Sequence, residues 1–385
     1  MLELYTPKER VVCMKITDYK TYIIGAGFRN LIFVKVFTDE GIYGVGEATI
    51  EWKTNATAGA LEDIRPYVIG ADPRRIEYIF SECFRQTYWH TDPCTLSAVA
   101  AVEMACVDIT GKAYNVPAYQ LFGGKLHDKL RIYKNGFSRA KDAKTFAADA
   151  KTAVDNGASA LKWDCFGSSW ITITHEALDR VIEYVSLVRE AVGPKVDVII
   201  EAHGRFNNNT ALLIARELEP FKLKFIEEPV FADNVQDTID FHKTSPVPTA
   251  AGERLFGKRV FRELISCRGT DYVQPDMVHC GGMNELRKIG IMAEAHNIQF
   301  APHNPNGPIA NAATMHICAT LPNFEFLETI DGGPMRTEIT NENRIIEDGY
   351  IVVPDAPGLG IDFYPEACAK YPPVSMAQGM FSGSF

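Results

Sequence analysis

The chain has 385 residues, 46% of them hydrophobic, and a formal net charge of −10. That length exceeds what a single core usually serves, so two domains are expected, a barrel of roughly 200 to 250 residues and a smaller companion. The acidic balance, with Lys and Arg scattered along the chain, argues against nucleic acid and anionic membranes as partners. The first ten residues carry charges where a signal peptide needs an apolar core, and no run reaches the roughly 18 apolar residues of a membrane span, so a cytosolic location is expected. Nine cysteines without a Cys-x-x-Cys pair read as reduced, buried small hydrophobes rather than a disulfide framework or thiolate metal site.

In chain order, residues 11–19 and 31–38 alternate apolar and polar side chains as half-buried antiparallel strands do. The glycines of Gly41-Ile-Tyr-Gly-Val-Gly-Glu47 fit no phosphate-binding or dinucleotide spacing and are expected in turns at positive φ. From 55 to 124 the spacing becomes helical, and the small-residue run from Ser97 predicts a buried helix that ends before Gly123-Gly124. Residues 1–125 thus form an α+β domain, which the tail from about 345 to 385 rejoins. Between 126 and 344 the rhythm is strand, helix, strand, with strands expected at 131–134, 158–163, 196–200, 223–226, 247–250, 272–274, 298–301 and 324–327. Eight such units close into a barrel.

Three acidic residues each end an apolar run, and Glu201, Glu227 and Glu253 are spaced 26 residues apart. One β/α unit per interval places three carboxylates at the same end of neighbouring strands, where barrels do their chemistry. Like charges so close raise one another's pKa unless a cation lies between them, and an all-oxygen set with few protein donors favours Mg²⁺ over Zn²⁺. Later strands continue the spacing with Asp276, His303 and Glu328. His203 leaves the third strand on the same side as Glu201, and Lys162 with Asp164 ends the second.

These residues, with Gly70-Ala-Asp-Pro, Tyr119-Gln-Leu-Phe-Gly-Gly124, Glu201-Ala-His-Gly-Arg-Phe206, Phe225-Ile-Glu-Glu-Pro229, Ala251-Gly-Glu-Arg254, Gln274-Pro-Asp276, Ala301-Pro-His-Asn304 and Pro357-Gly-Leu-Gly360, carry a resemblance that spans nearly the whole chain. The chain resembles the mandelate racemase subgroup of the enolase superfamily, and within it sugar-acid dehydratases of the galactonate dehydratase type. The resemblance implies a modified TIM barrel, (β/α)₇β, under an α+β N-terminal capping domain. It also implies one Mg²⁺ on Glu201, Glu227 and Glu253, the first of which is commonly Asp in the subgroup.

The implied reaction removes the proton α to a carboxylate, gives an enediolate bound to the metal, and expels the 3-hydroxyl to leave a 2-keto-3-deoxy sugar acid. The substrate so implied is an aldonate-type sugar acid. His303, oriented by Asp276, matches the family's base and His203 the acid, although the reverse assignment stays open. Glu328 matches a carboxylic acid that donates to the substrate carboxylate, which requires a raised pKa. Lys162 stands where racemases of the family carry a Lys-x-Lys base, with Asp164 in place of the second lysine. A racemase or epimerase acting through Lys162 and His303, and a catalytically silent sugar-acid binding protein, are the competing readings. Loops near 23–30 and 52–55 are expected to cover the barrel mouth, with Trp52, Lys53 and Asn55 suited to a polyhydroxylated chain and Asp164 a further substrate contact. Family members are commonly homo-oligomers. His90, Cys165, His279 and Cys280 receive no chemistry.

Overall fold

The computed structural model describes residues 14–330 and 332–375, so the first three residues of the strand expected at 11–19 and the last ten of the chain lie outside it. Strands β1 (Ile16–Ala26), β2 (Arg29–Thr38) and β3 (Tyr43–Glu47) form an antiparallel meander. The segment expected as a loop at 23–30 is largely strand, because Ala26 pairs with Arg29 across a two-residue turn. Gly27, at φ 73°, supplies the positive dihedral such a turn needs.

Helices α1 (Thr54–Val68) and α3 (Pro93–Tyr114) pack on this sheet, and α2 (Ile76–Gln86) packs against both helices. Two of the glycines expected in turns are not there. Gly44 and Gly46 lie within β3, and a Cβ on either would sit 2.1 Å from the Ala105 carbonyl or 1.8 Å from the Ala101 carbonyl of α3. They are glycines so that helix and strand can touch, and of the three only Gly41 has positive φ. As the small-residue run from Ser97 predicts, α3 is buried: it is long and apolar enough to cross a membrane by length and composition, but 89% of its most apolar window lies inside the protein. Its charged residues have fixed partners. Glu103 accepts from the Met283 and Asn284 amides at 2.8 and 3.1 Å, and Asp108 from those of Val45 and Leu359 at 3.0 and 2.9 Å.

The barrel follows. Strands β4 (Lys129–Asn135), β5 (Ala160–Trp163), β6 (Asp197–Glu201), β7 (Phe225–Glu227), β8 (Thr249–Ala251), β9 (Tyr272–Val273) and β10 (Gln299–Phe300) are each followed by one helix. These are α4 (Ala143–Asp155), α5 (His175–Val192), α6 (Asn208–Leu218), α7 (Val235–Thr244), α8 (Lys258–Ser266), α9 (Met283–Glu294) and α10 (Pro308–Cys318). Strand β11 (Leu327–Ile330) ends the series without a barrel helix of its own. It runs parallel to β4, and a parallel bridge from Phe324 to Phe300 closes the ring, giving (β/α)₇β. A hairpin of β12 (Ile346–Glu347) and β13 (Tyr350–Val352) adds to the other end of β4.

Each of the eight barrel positions sends one residue into a central layer, in ring order Tyr133, Ala160, Ile199, Phe225, Ala250, Tyr272, Ala301 and Phe326. Large rings next to small side chains fill the tapering interior. The tail then straps the meander. Gly25 donates to the Tyr371 carbonyl and Val374 to Asn30 Oδ1, at 2.9 and 2.8 Å.

Candidate active site

Side chains along a strand point alternately to its two faces, so two residues beyond the aromatic layer the chain again points inward. The next layer is therefore Asn135, Lys162, Glu201, Glu227, Gly252, Gln274, His303 and Glu328. At the fifth position Gly252 holds φ 144°, with Phe261 and the Gln274 backbone too close for a Cβ. The chain bends there and Glu253 delivers the third carboxylate. Oxygens of Glu201, Glu227 and Glu253 all lie within 4.8 Å of one another.

The centre of this layer is Lys162, whose Nζ lies 2.6 Å from Glu227 Oε1, 3.0 Å from Glu328 Oε1 and 3.2 Å from Glu201 Oε2. Burial works against its charge, but Glu227 and Glu328 outweigh burial and hold its pKa well above that of a free lysine. It is a fixed ammonium, not a base. Glu328 differs from expectation. Burial would raise its pKa, yet the charges of Lys162 and His303, the Asn304 amide at 3.0 Å and the Asn135 amide at 2.9 Å hold it below the ordinary value. An ionised Glu328 accepts hydrogen bonds and cannot donate one to a substrate.

The acids divide the remaining charge unequally. Burial and the neighbouring Glu201 push Glu227 well up, whereas for Glu201 the effect of burial is overcome by His203 and Lys162 and its pKa falls. Glu227 Oε2 is buried and has no partner. Three converging carboxylates, one with an orphaned oxygen, suit a hard divalent cation, which would relieve the repulsion that pushes the Glu227 pKa up.

Two imidazoles stand on either side. His303 follows β10, the seventh barrel strand; its Nδ1 is 2.7 Å from Asp276 Oδ2 and its Nε2 3.1 Å from Glu253 Oε2. Burial is overcome by Glu253 and Asp276, and its pKa rises to about 10. Asp276 is itself fully used, accepting from the Val278 and His279 amides and from Asn306 Nδ2. His203 follows β6, the third strand and so across the ring, held at φ 51° with Nδ1 2.7 Å from Asp164 Oδ2. Burial again is outweighed, here by Glu201 and Asp164, so its pKa is raised. Asp164 lies behind this histidine. Its Oδ2 also takes the buried Arg205 and its Oδ1 the Phe166 amide at 2.8 Å, and it is not part of the cavity wall.

A cavity of about 930 Å³ opens over this layer, reached by Lys162, Glu201, Glu253, His203, His303 and Glu328. The β1–β2 turn and the segment from Ile50 to Lys53, Trp52 included, form its upper wall; Asn55 is exposed on α1 and does not reach it. Arg29, Glu51, Asn135, Arg254 and His279 also line the cavity and were missed in the sequence. Asn135 was within reach, since it extends the two-residue period of the first barrel strand. His279 sits at the turn that begins with Asp276, where no periodicity marks it.

A closed barrel with acids and opposed histidines at the C-terminal ends of its strands, under an antiparallel cap, defines a capped α/β-barrel enzyme. Family models for the mandelate racemase / muconate lactonizing enzyme N-terminal domain and for the enolase C-terminal domain-like region match residues 11–123 and 145–367. The chain belongs to the mandelate racemase / muconate lactonizing enzyme family of the enolase superfamily. Among curated relatives, D-galactonate dehydratase of Ralstonia pickettii is 35% identical over 357 residues, covering 91% of this chain and 92% of its own. The protein of that name from Pectobacterium atrosepticum is 33% identical over 361 residues, 92% of this chain and 93% of its own. An enolase superfamily member from Salmonella Typhimurium superposes with a TM-score of 0.89 at 29% identity, covering 94% of this chain and 99% of its own. A mandelate racemase/muconate lactonizing enzyme-like protein from Roseovarius sp. TM1035 gives 0.90 at 29% identity, with 94% and 96% covered.

Proposed function

We propose that the protein is a Mg²⁺-dependent dehydratase of an aldonate-type sugar acid, with Glu201, Glu227 and Glu253 as the metal ligands. The observation that carries this reading is the pair of His–Asp couples on the third and seventh strands, both bordering one cavity beside the three acids. A cation held by these three residues would supply positive charge to stabilise the substrate carboxylate as C2 loses its proton. A cation held by Glu253 would offset the carboxylate that most raises the His303 pKa, and His303 in its neutral form takes that proton on Nε2. The C3–O bond then breaks, the hydroxyl leaving as water with a proton from His203, and the enol takes up a proton at C3 to become the 2-keto-3-deoxy acid.

The surroundings of the two histidines favour this division of labour. Asp276 Oδ2, which receives His303, is shared otherwise only with the Asn306 amide, with His279 3.8 Å from the other oxygen, whereas Asp164 shares the oxygen that receives His203 with the Arg205 guanidinium. His203 is thereby left the weaker base and the better acid. Histidines facing one another across the ring also favour removal of proton and hydroxyl from opposite faces of the substrate. A racemase working through Lys162 would need a neutral amine there, whereas the acidic groups around it hold its pKa well above that of a free lysine. Aldonates similar to D-galactonate, the substrate named for the relatives above, are the first to test. Incubation of a sugar-acid panel with Mg²⁺ should yield 2-keto-3-deoxy acids, absent with a chelator. C2 epimers without elimination would overturn the reading.

A further inference from the structure

The segment from His303 to Gly307 carries the proposed base, yet it belongs to neither strand nor helix. Side chains must therefore hold it. Asn304 donates through its backbone amide to Glu328 Oε2 at 3.0 Å and through its side chain to the Glu328 carbonyl at 3.1 Å. Asn306 Nδ2 reaches Asp276 Oδ2 at 2.7 Å, the same oxygen that receives His303 Nδ1. Between these two asparagines lies Pro305, which has no N–H and offers only its carbonyl. That carbonyl accepts from Arg29 Nη1 at 3.1 Å, and Arg29 comes from the first residue of β2, in the antiparallel cap. The same nitrogen is ion-paired with Glu51, so the guanidinium is fixed from both sides, and Arg29 is 8% exposed.

We propose that Arg29 is a positioning residue. Its grip on the Pro305 carbonyl sets Asn304 and Asn306, and through them the Glu328 carboxylate and the Asp276–His303 couple, so that a cap residue aims the proton-transferring imidazole. The catalytic consequence rests on the dehydratase reading; the geometric one does not. One nitrogen makes both contacts, so a lysine ammonium, with three donors on a shorter stem, can replace it in kind.

The test is Arg29→Met beside Arg29→Lys. In substrate-free protein, the imidazole N–H resonance of His303 is identified by its loss in His303→Asn. Arg29→Met should shift or erase that resonance and Arg29→Lys should restore it. With substrate, the Met variant should lose about 10- to 100-fold in kcat, with KM changed less than about threefold. Should Arg29→Met fail to fold, Glu51→Gln, which frees the guanidinium on one side, must move the same resonance in the same direction. An unmoved resonance, or a rise in KM with kcat intact, overturns the proposal, the second by making Arg29 a substrate contact. If the wild type makes no 2-keto-3-deoxy acid, the dehydratase reading falls and the resonance alone decides the role of Arg29.

Discussion

Replacing Glu227 with glutamine separates a site built for a cation from one that only balances its own charges. Glu227 lies 2.6 Å from the Lys162 ammonium and within 4.8 Å of oxygens on Glu201 and Glu253. At an effective dielectric near 20, each like-charge pair at 4.8 Å costs about 3 to 4 kcal/mol, so two of them rival the attraction to Lys162. Burial tips the balance and pushes the Glu227 carboxyl well above the usual range, toward its neutral form. A glutamine amide matches a neutral carboxyl in shape and charge, so in a chelator Glu227→Gln should change stability by no more than about 1 kcal/mol, where a broken buried ion pair costs about 3 to 5.

Unfolding entropy of about 2.1 cal/mol/K per residue makes roughly 0.8 kcal/mol/K for 385 residues, so 1 kcal/mol moves Tm by about 1 °C. Mg²⁺ at a hundred times its Kd should raise the wild-type Tm by about 3 °C, from roughly 2.7 kcal/mol of linkage, and the variant should lose that rise. Thermal unfolding of both proteins in chelator and in Mg²⁺ reads all four values. A fall of about 4 to 6 °C in chelator, or a surviving rise with Mg²⁺, refutes the reasoning.

Three further outcomes follow from the same geometry. His303 has its pKa raised from near 6.5 to about 10, so its contribution to the stability of metal-free protein is complete below pH 6.5 and lost as pH rises through 10. Denaturant unfolding across that window should show the decline in wild type and a flatter profile in His303→Asn. Asp164→Asn should lower dehydration by about 10- to 100-fold while sparing C2 proton exchange, since it touches His203 and not His303; equal losses in both would contradict the assigned roles. Gly46→Ala should destabilise by about 1 to 3 kcal/mol or more, read by chemical denaturation, because its methyl meets the Ala101 carbonyl at 1.8 Å.

Much of the barrel could be read from the chain because its signals are local. Apolar runs mark the strands, and the 26-residue spacing of Glu201, Glu227 and Glu253 repeats one β/α unit. What escaped depends on groups distant in sequence. The ionised state of Glu328 follows from Lys162, 166 positions earlier, and from Asn135, 193 positions earlier. Asp164 looked like a substrate contact beside Lys162, but a four-residue strand followed by a turn directs it to His203 and Arg205 instead. The contact between Arg29 and Pro305 joins cap to barrel across 276 positions and leaves no trace in any window of sequence. Gly44 and Gly46 carry the same lesson, since only the approach of α3 tells a glycine needed for contact from one needed for a turn.

The most direct test of the division between the two histidines is deuterium exchange at C2 of a dehydrated sugar acid in heavy water with Mg²⁺, comparing His203→Asn with His303→Asn. Exchange that continues without elimination in His203→Asn, with neither process in His303→Asn, is the predicted result. Exchange that survives in His303→Asn and is lost in His203→Asn would contradict it.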